Sequence, residues 1–184
     1  MTSDRALAVW KKYNTKLNLE RHAIAVSETM RHFAKLANEN QEYWASIGIL
    51  HDVDYELYPD KHCFKIPEIL SNEGIDEKTI RTIQSHGYIH VEGMPEPQTY
   101  MEWTLFAIDQ LTGFIIACAL IQPEKKLALV EMSSINKRWK IPTFAGGTQR
   151  NLVELGCEKM GKSFEWVAEQ TLIALQGASE KLGL

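Results

Sequence analysis

Residues 44–56 read WASIGILHDVDYE, an apolar run that ends abruptly in a cluster of polar groups. His51, Asp52, Asp54, Tyr55 and Glu56 crowd together directly after Leu50. The cluster is either a solvated acidic helix end or a metal site. The run before it predicts a helix over residues 41–52. Upstream, Ile24, Val26, Met30, Phe33, Ala34 and Ala37 recur at three- and four-residue intervals, which predicts an amphipathic helix over 19–38. A shorter helix, capped by Ser3 or Asp4, is expected to reach Tyr13, with a turn at 14–18.

Downstream the same reading continues. Pro67 suits the first turn of a short helix over 66–73, which Gly74 ends. Asp76 caps the next helix, which reaches His86 and Gly87. A proline-rich loop at 94–97 precedes a long apolar helix over 99–121, expected to be central. Further helices are predicted over 124–139, from Ala145 or Thr148 to Leu155, and over 163–182. The expected fold is all-α and one domain spanning 1–184, with a core at about 15–122 and a C-terminal helical extension at about 123–184. Phe164, Trp166, Val167 and Leu172 in that extension could serve the core or a homodimer face.

Composition bounds the function. The 184 residues hold 45% hydrophobic and 24% charged side chains, ordinary proportions for a globular domain. A net charge of −4 gives no strong nucleic-acid signal. Three widely spaced cysteines without a C-x-x-C pair favour a reducing compartment, so a cytoplasmic location is expected. The longest unbroken apolar run, 114–121, is well short of the about 20 residues a membrane span needs.

Ionisable groups on faces that ought to be buried carry the chemistry. Asp109 lies within LFAIDQL at 105–111, where an unpaired carboxylate would cost several kcal/mol, so it needs a cation partner. A salt-bridged or hydrogen-bonded Asp is the plainer alternative. His22 sits beside Ala23 to Val26, and His51-Asp52 ends the next apolar helix. Each carries little alone; the weight lies in the combination of a His early in one helix, His-Asp ending the next apolar helix and a lone Asp inside a third. Such mixed ligation suits Mn, Fe, Co, Ni or Zn better than Ca or Mg.

The order His22, His51-Asp52, Asp109 in a helical chain resembles the HD-domain superfamily of metal-dependent phosphohydrolases. It is most similar to the small HDIG-related hydrolases. DQLTG at 109–113 and FAGG at 144–147 also look like segments of that group. The resemblance implies an HD-domain helical bundle with a divalent metal cofactor (Mn, Fe, Co, Ni, Zn or Mg) held by His22, His51, Asp52 and Asp109. It implies hydrolysis of a small phosphorylated substrate, a phosphomonoester or phosphodiester with nucleotides among the candidates, by metal-activated water that Asp52 bridges or orients. His62, His86 and His90 are candidates for a second metal or for phosphate. Some relatives carry a glutamate three residues after the motif Asp; Tyr55 stands there, so Asp54 and Glu56 become the candidates for proton transfer. Lys61, Lys65, Arg81, Lys137 and Arg138 are candidate phosphate or substrate contacts, as are Arg150 and the N–H groups of Gly146-Gly147-Thr148. The alternative function is a catalytically weak metal- or nucleotide-binding helical module.

Overall fold

The structure, a computed structural model, describes residues 1–184 as ten α-helices with no β-strand. In chain order these are α1 (Ser3–Trp10), α2 (Leu17–Leu36), α3 (Gln41–Leu50), α4 (Ile66–Asn72), α5 (Glu77–Gln84) and α6 (Tyr100–Leu120). They are followed by α7 (Met132–Trp139), α8 (Arg150–Lys159), α9 (Phe164–Gly177) and α10 (Ser179–Leu182). Single 3-10 turns lie at Pro59–Lys61, Ser85–Gly87 and Leu127–Leu129.

Helix α6 is the hub. Its side chains from Glu102 to Ile108, then Leu111, Phe114, Ile115 and Cys118, are buried against α2, α8 and α9. By length and composition it is the one helix apolar enough to cross a bilayer, yet 67% of its most apolar stretch is buried within the protein. A capping box fixes its start. The Glu102 N–H donates to Thr99 Oγ1 at 3.3 Å, and the Thr99 N–H donates to Glu102 Oε2 at 3.0 Å.

Two glycines set how closely the helices approach. A Cβ on Gly48 of α3 would lie 2.8 Å from the Ser27 Cα of α2. A Cβ on Gly156 of α8 would lie 2.7 Å from the Ala107 Cβ of α6. Both contacts fall next to candidate ligands, Gly48 three residues before His51 and Ala107 two before Asp109. Helix spacing thus sets the distance between side chains from distant parts of the sequence.

The C-terminal helices join the same core. Leu127, Ile135, Val153, Val167, Leu175 and Leu182 belong to one cluster with Val26, Phe33 and Leu105. Phe164 stacks on Trp139 at 4.3 Å, and Trp166 meets Phe33 edge-on at 5.8 Å. The aromatic residues of α9 therefore pack within the chain.

Boundaries differ from expectation where side chains intercept the backbone. The helix predicted over 124–139 is a 3-10 turn followed by α7, because Gln176 Nε2 donates to the carbonyls of Leu127 and Val130. Helix α8 starts at Arg150, later than Ala145 or Thr148. The Arg150 guanidinium collects the carbonyls of Trp139, Ile141, Phe144 and Thr148 and holds that segment open. The helix over 163–182 is divided at Ala178. Thr2, rather than Ser3 or Asp4, caps α1, which ends at Trp10.

The two kinds of helix glycine make opposite predictions. Gly48→Ala drives a methyl into backbone, and overpacking costs roughly 1–3 kcal/mol. Gly113→Ala on the exposed side of α6 meets nothing within 4 Å and should gain up to about 1 kcal/mol from helix propensity. Urea unfolding midpoints should fall for the first variant and rise for the second.

Candidate metal centre

His22 near the start of α2, His51 at the C-cap of α3, Asp52 in the following turn and Asp109 on α6 converge. His22 Nε2 lies 3.0 Å from Asp109 Oδ1 and 3.2 Å from His51 Nε2. His51 Nε2 lies 3.3 Å from Asp109 Oδ1 and 3.4 Å from Asp52 Oδ2, and His22 Nε2 lies 3.8 Å from Asp52 Oδ2. Ligands at about 2.0–2.2 Å from one ion stand roughly 2.9–3.5 Å apart, so all but the longest of these separations fit a shared ion.

A second group meets the other face of Asp52. His62 Nε2 and His86 Nε2 lie 3.4 Å and 3.5 Å from Asp52 Oδ1 and 3.2 Å from each other. Cys63 Sγ lies 3.7 Å from His86 Nε2. Asp52 thus presents one oxygen to each group.

The protonation pattern favours a cation. His51 Nδ1 lies 2.8 Å from the Gly48 carbonyl, His86 Nδ1 lies 2.6 Å from the Ile83 carbonyl, and His62 Nδ1 lies 2.9 Å from Asp54 Oδ1. Those oxygens only accept, so each Nδ1 carries a hydrogen, and each Nε2 turns a lone pair inward whenever its ring is neutral. Lone pairs then face one another and two carboxylates. Protons relieve this only in part. Burial pulls His51 down, but Asp52 and Asp109 lift it to about 10. Burial also opposes charge on His62, which its Asp54 hydrogen bond lifts to about 9. His86 is raised as well, while its neighbouring imidazoles hold Asp52 low against the effect of burial. Two N–H groups cannot point at each other across the 3.2 Å between His62 and His86. A divalent ion in each group would satisfy every lone pair at once.

The other candidate residues divide sharply. Asp54 is fully buried and engaged, accepting from His62 Nδ1 and from the Lys65 N–H at 3.2 Å, so it orients His62 and is not free for proton transfer. Glu56 accepts from the Thr15 and Lys16 N–H groups at 2.9 and 3.0 Å and ties the loop to the start of α2. Arg81 pairs with buried Glu102 at 2.5 Å and donates to the Glu96 carbonyl, beside a separate cavity between the starts of α3 and α6. Lys65 pairs with Glu68, and Lys61 is exposed. Arg138 folds onto Ser134 and the Phe144 ring, with Lys137 exposed on the same helix, and Arg150 is fully occupied by carbonyls. His90 stays outside both ligand groups, its ring 6.3 Å from that of His86, and its buried Nδ1 has no partner.

Sequence reasoning missed Cys63, which it used only to infer a reducing compartment. The available signal was its position directly after His62. Burial pushes its thiol up, but His86 and His62 outweigh this and bring it down to about 7. Cys118 and Cys157, in apolar surroundings, are pushed up to about 11 and 12 by burial. Cys63 (φ 68°) and Ile89 (φ 71°) adopt left-handed backbone, each worth about 1–3 kcal/mol of strain, beside His62 and His90. Comparison with family models, curated proteins and solved structures finds no match for the chain.

Metal should therefore stabilise the fold. Chelator-stripped protein given Mn2+ or Co2+ at about 100 times its Kd should gain about 2.7 kcal/mol per ion, read as a rise in Tm by calorimetry. The gain should vanish in Asp52→Ala. It should also shrink as pH falls, because protons compete for the same Nε2 lone pairs.

Proposed function

We infer that the chain is a metal-dependent phosphohydrolase acting on a small phosphomonoester or phosphodiester, with nucleotides among the candidates. One observation carries this reading: Asp52 stands between two imidazole groups, an oxygen toward each, with Asp109 closing the first. His22, His51, Asp109 and Asp52 would hold one divalent ion, and His62, His86 and Asp52 a second. The chemistry supplied there is Lewis acidity, which polarises a phosphoryl oxygen and acidifies water at neutral pH.

The chain's own residues would do the rest. A cavity of about 240 Å³ opens beside His22, with Asn18 and Arg21 on its polar side and Ile116, Leu120 and Leu182 on its apolar side. Arg21 would pair with phosphate there, and the aliphatic wall would take the remainder of the ester. With Asp54 and Glu56 engaged, the nearest unengaged proton acceptor we assign is His90 Nδ1, outside the ligand groups with its ring 6.3 Å from that of His86. Burial first, then the charge of His86, keep His90 below its usual range and therefore neutral at pH 7. It can accept or return a proton at that atom.

The catalytically weak binding module draws on the same engagement of Asp54 and Glu56, which leaves no free carboxylate for acid–base work. A panel of phosphomonoesters and phosphodiesters, run with Mn, Co, Ni and Mg on protein of known metal content, separates the two. The hydrolase reading expects turnover that Asp52→Asn abolishes together with metal. It expects His90→Asn to lower kcat by roughly 10²–10⁴-fold with metal content intact. Fully loaded protein that turns over nothing on the panel would favour the binding module.

A further inference from the structure

We propose that Cys63 is a metal ligand, so that the His62 half of the centre is a Cys-His-His-Asp site for a thiophilic divalent ion such as Zn2+ or Co2+. The His22 half, built from nitrogen and oxygen alone, then suits a harder ion such as Mn2+ or Fe2+. The proposal rests on the reading that the cluster holds ions, and it adds that the two halves differ in kind.

Four of the six separations match those of a tetrahedral set. With Zn–N and Zn–O near 2.0–2.1 Å and Zn–S near 2.3 Å, tetrahedral ligands stand about 3.3–3.4 Å apart for N and O, and about 3.6 Å for N and S. His62 to His86 is 3.2 Å, Asp52 to His62 is 3.4 Å, Asp52 to His86 is 3.5 Å and Cys63 to His86 is 3.7 Å. The Sγ, His62 and His86 ligand atoms all lie within 4.8 Å of one another.

The backbone is arranged around the sulfur. Cys63 is a non-glycine residue at φ 68°, and Gln84 Nε2 fixes that conformation by donating to its carbonyl at 3.0 Å. A Cβ on Gly87 would come within 2.8 Å of the Sγ, so glycine there leaves the sulfur its room. All three cysteines are buried in the core, but Cys118 and Cys157 sit within helices and belong to no group of ligand-type side chains. Cys63 instead faces the imidazoles of His62 and His86, both of which approach the Asp52 carboxylate. As the sulfur–metal bond forms, the thiol proton leaves to solvent and the site gains one negative charge.

Cobalt gives the test. Chelator-stripped wild-type protein titrated with Co2+ should take up two equivalents and develop a near-ultraviolet sulfur-to-cobalt charge-transfer band beside the visible ligand-field bands. Cys63→Ser should lose the charge-transfer band, keep the ligand-field bands of the His22 half and bind the second ion roughly 10–100-fold more weakly. A Cys118→Ala, Cys157→Ala double variant should keep the band, which assigns the sulfur even if the serine variant fails to fold. Two equivalents of cobalt with no charge-transfer band in the wild type would overturn the role of Cys63 while leaving the centre standing. No cobalt uptake at all would overturn the centre beneath it as well.

Discussion

The Asp52 carboxylate lies between two pairs of imidazole nitrogens, and the packing around it follows from that. A buried anion surrounded by inward lone pairs is unstable unless positive charge sits among them. Three of the four imidazoles are held in one tautomer by an acceptor behind them: the Gly48 carbonyl for His51, the Ile83 carbonyl for His86 and the Asp54 carboxylate for His62. These outer partners aim the ring and raise its basicity, as they do in metal sites generally. Asp54 is therefore as much a part of the centre as the residues that face inward, though its atoms point the other way.

The scaffold delivers this arrangement through small residues at helix crossings. Gly48 against Ser27 brings α3 onto α2, and Gly156 against Ala107 brings α8 onto α6. The first crossing sets His51 against His22 and the second braces the turn of α6 that carries Asp109. Two of the five non-glycine residues with left-handed backbone, Cys63 and Ile89, lie nearby, where a rigid surround can hold backbone that would otherwise relax.

The helical class and its main elements could be read from periodicity. The long apolar helix is the hub, and Pro67, Gly74 and Asp76 punctuate the chain as their chemistry requires. The breaks near Leu127 and Gln149 could not be read, because side chains that reach backbone carbonyls, Gln176 from α9 and Arg150 at the start of α8, decide them. For the candidate site, a His and a His-Asp at helix ends and an Asp within an apolar helix were legible as groups in need of partners. The roles of Asp54, Glu56, Arg81 and Arg150 were not, since a charged residue near a motif reads the same whether it faces the centre or a backbone amide.

The sequence by itself determined that this chain is all-α and that Asp109 and His51 had to be paired, because burial forbids a lone charge. Only the tertiary structure decided that His62 and His86 close on the second oxygen of Asp52, with Cys63 against His86. Those residues come from two irregular segments between helices, where no period fixes direction. Their convergence depends on turns, a glycine clearance and backbone strain that become specific only once the helices have packed.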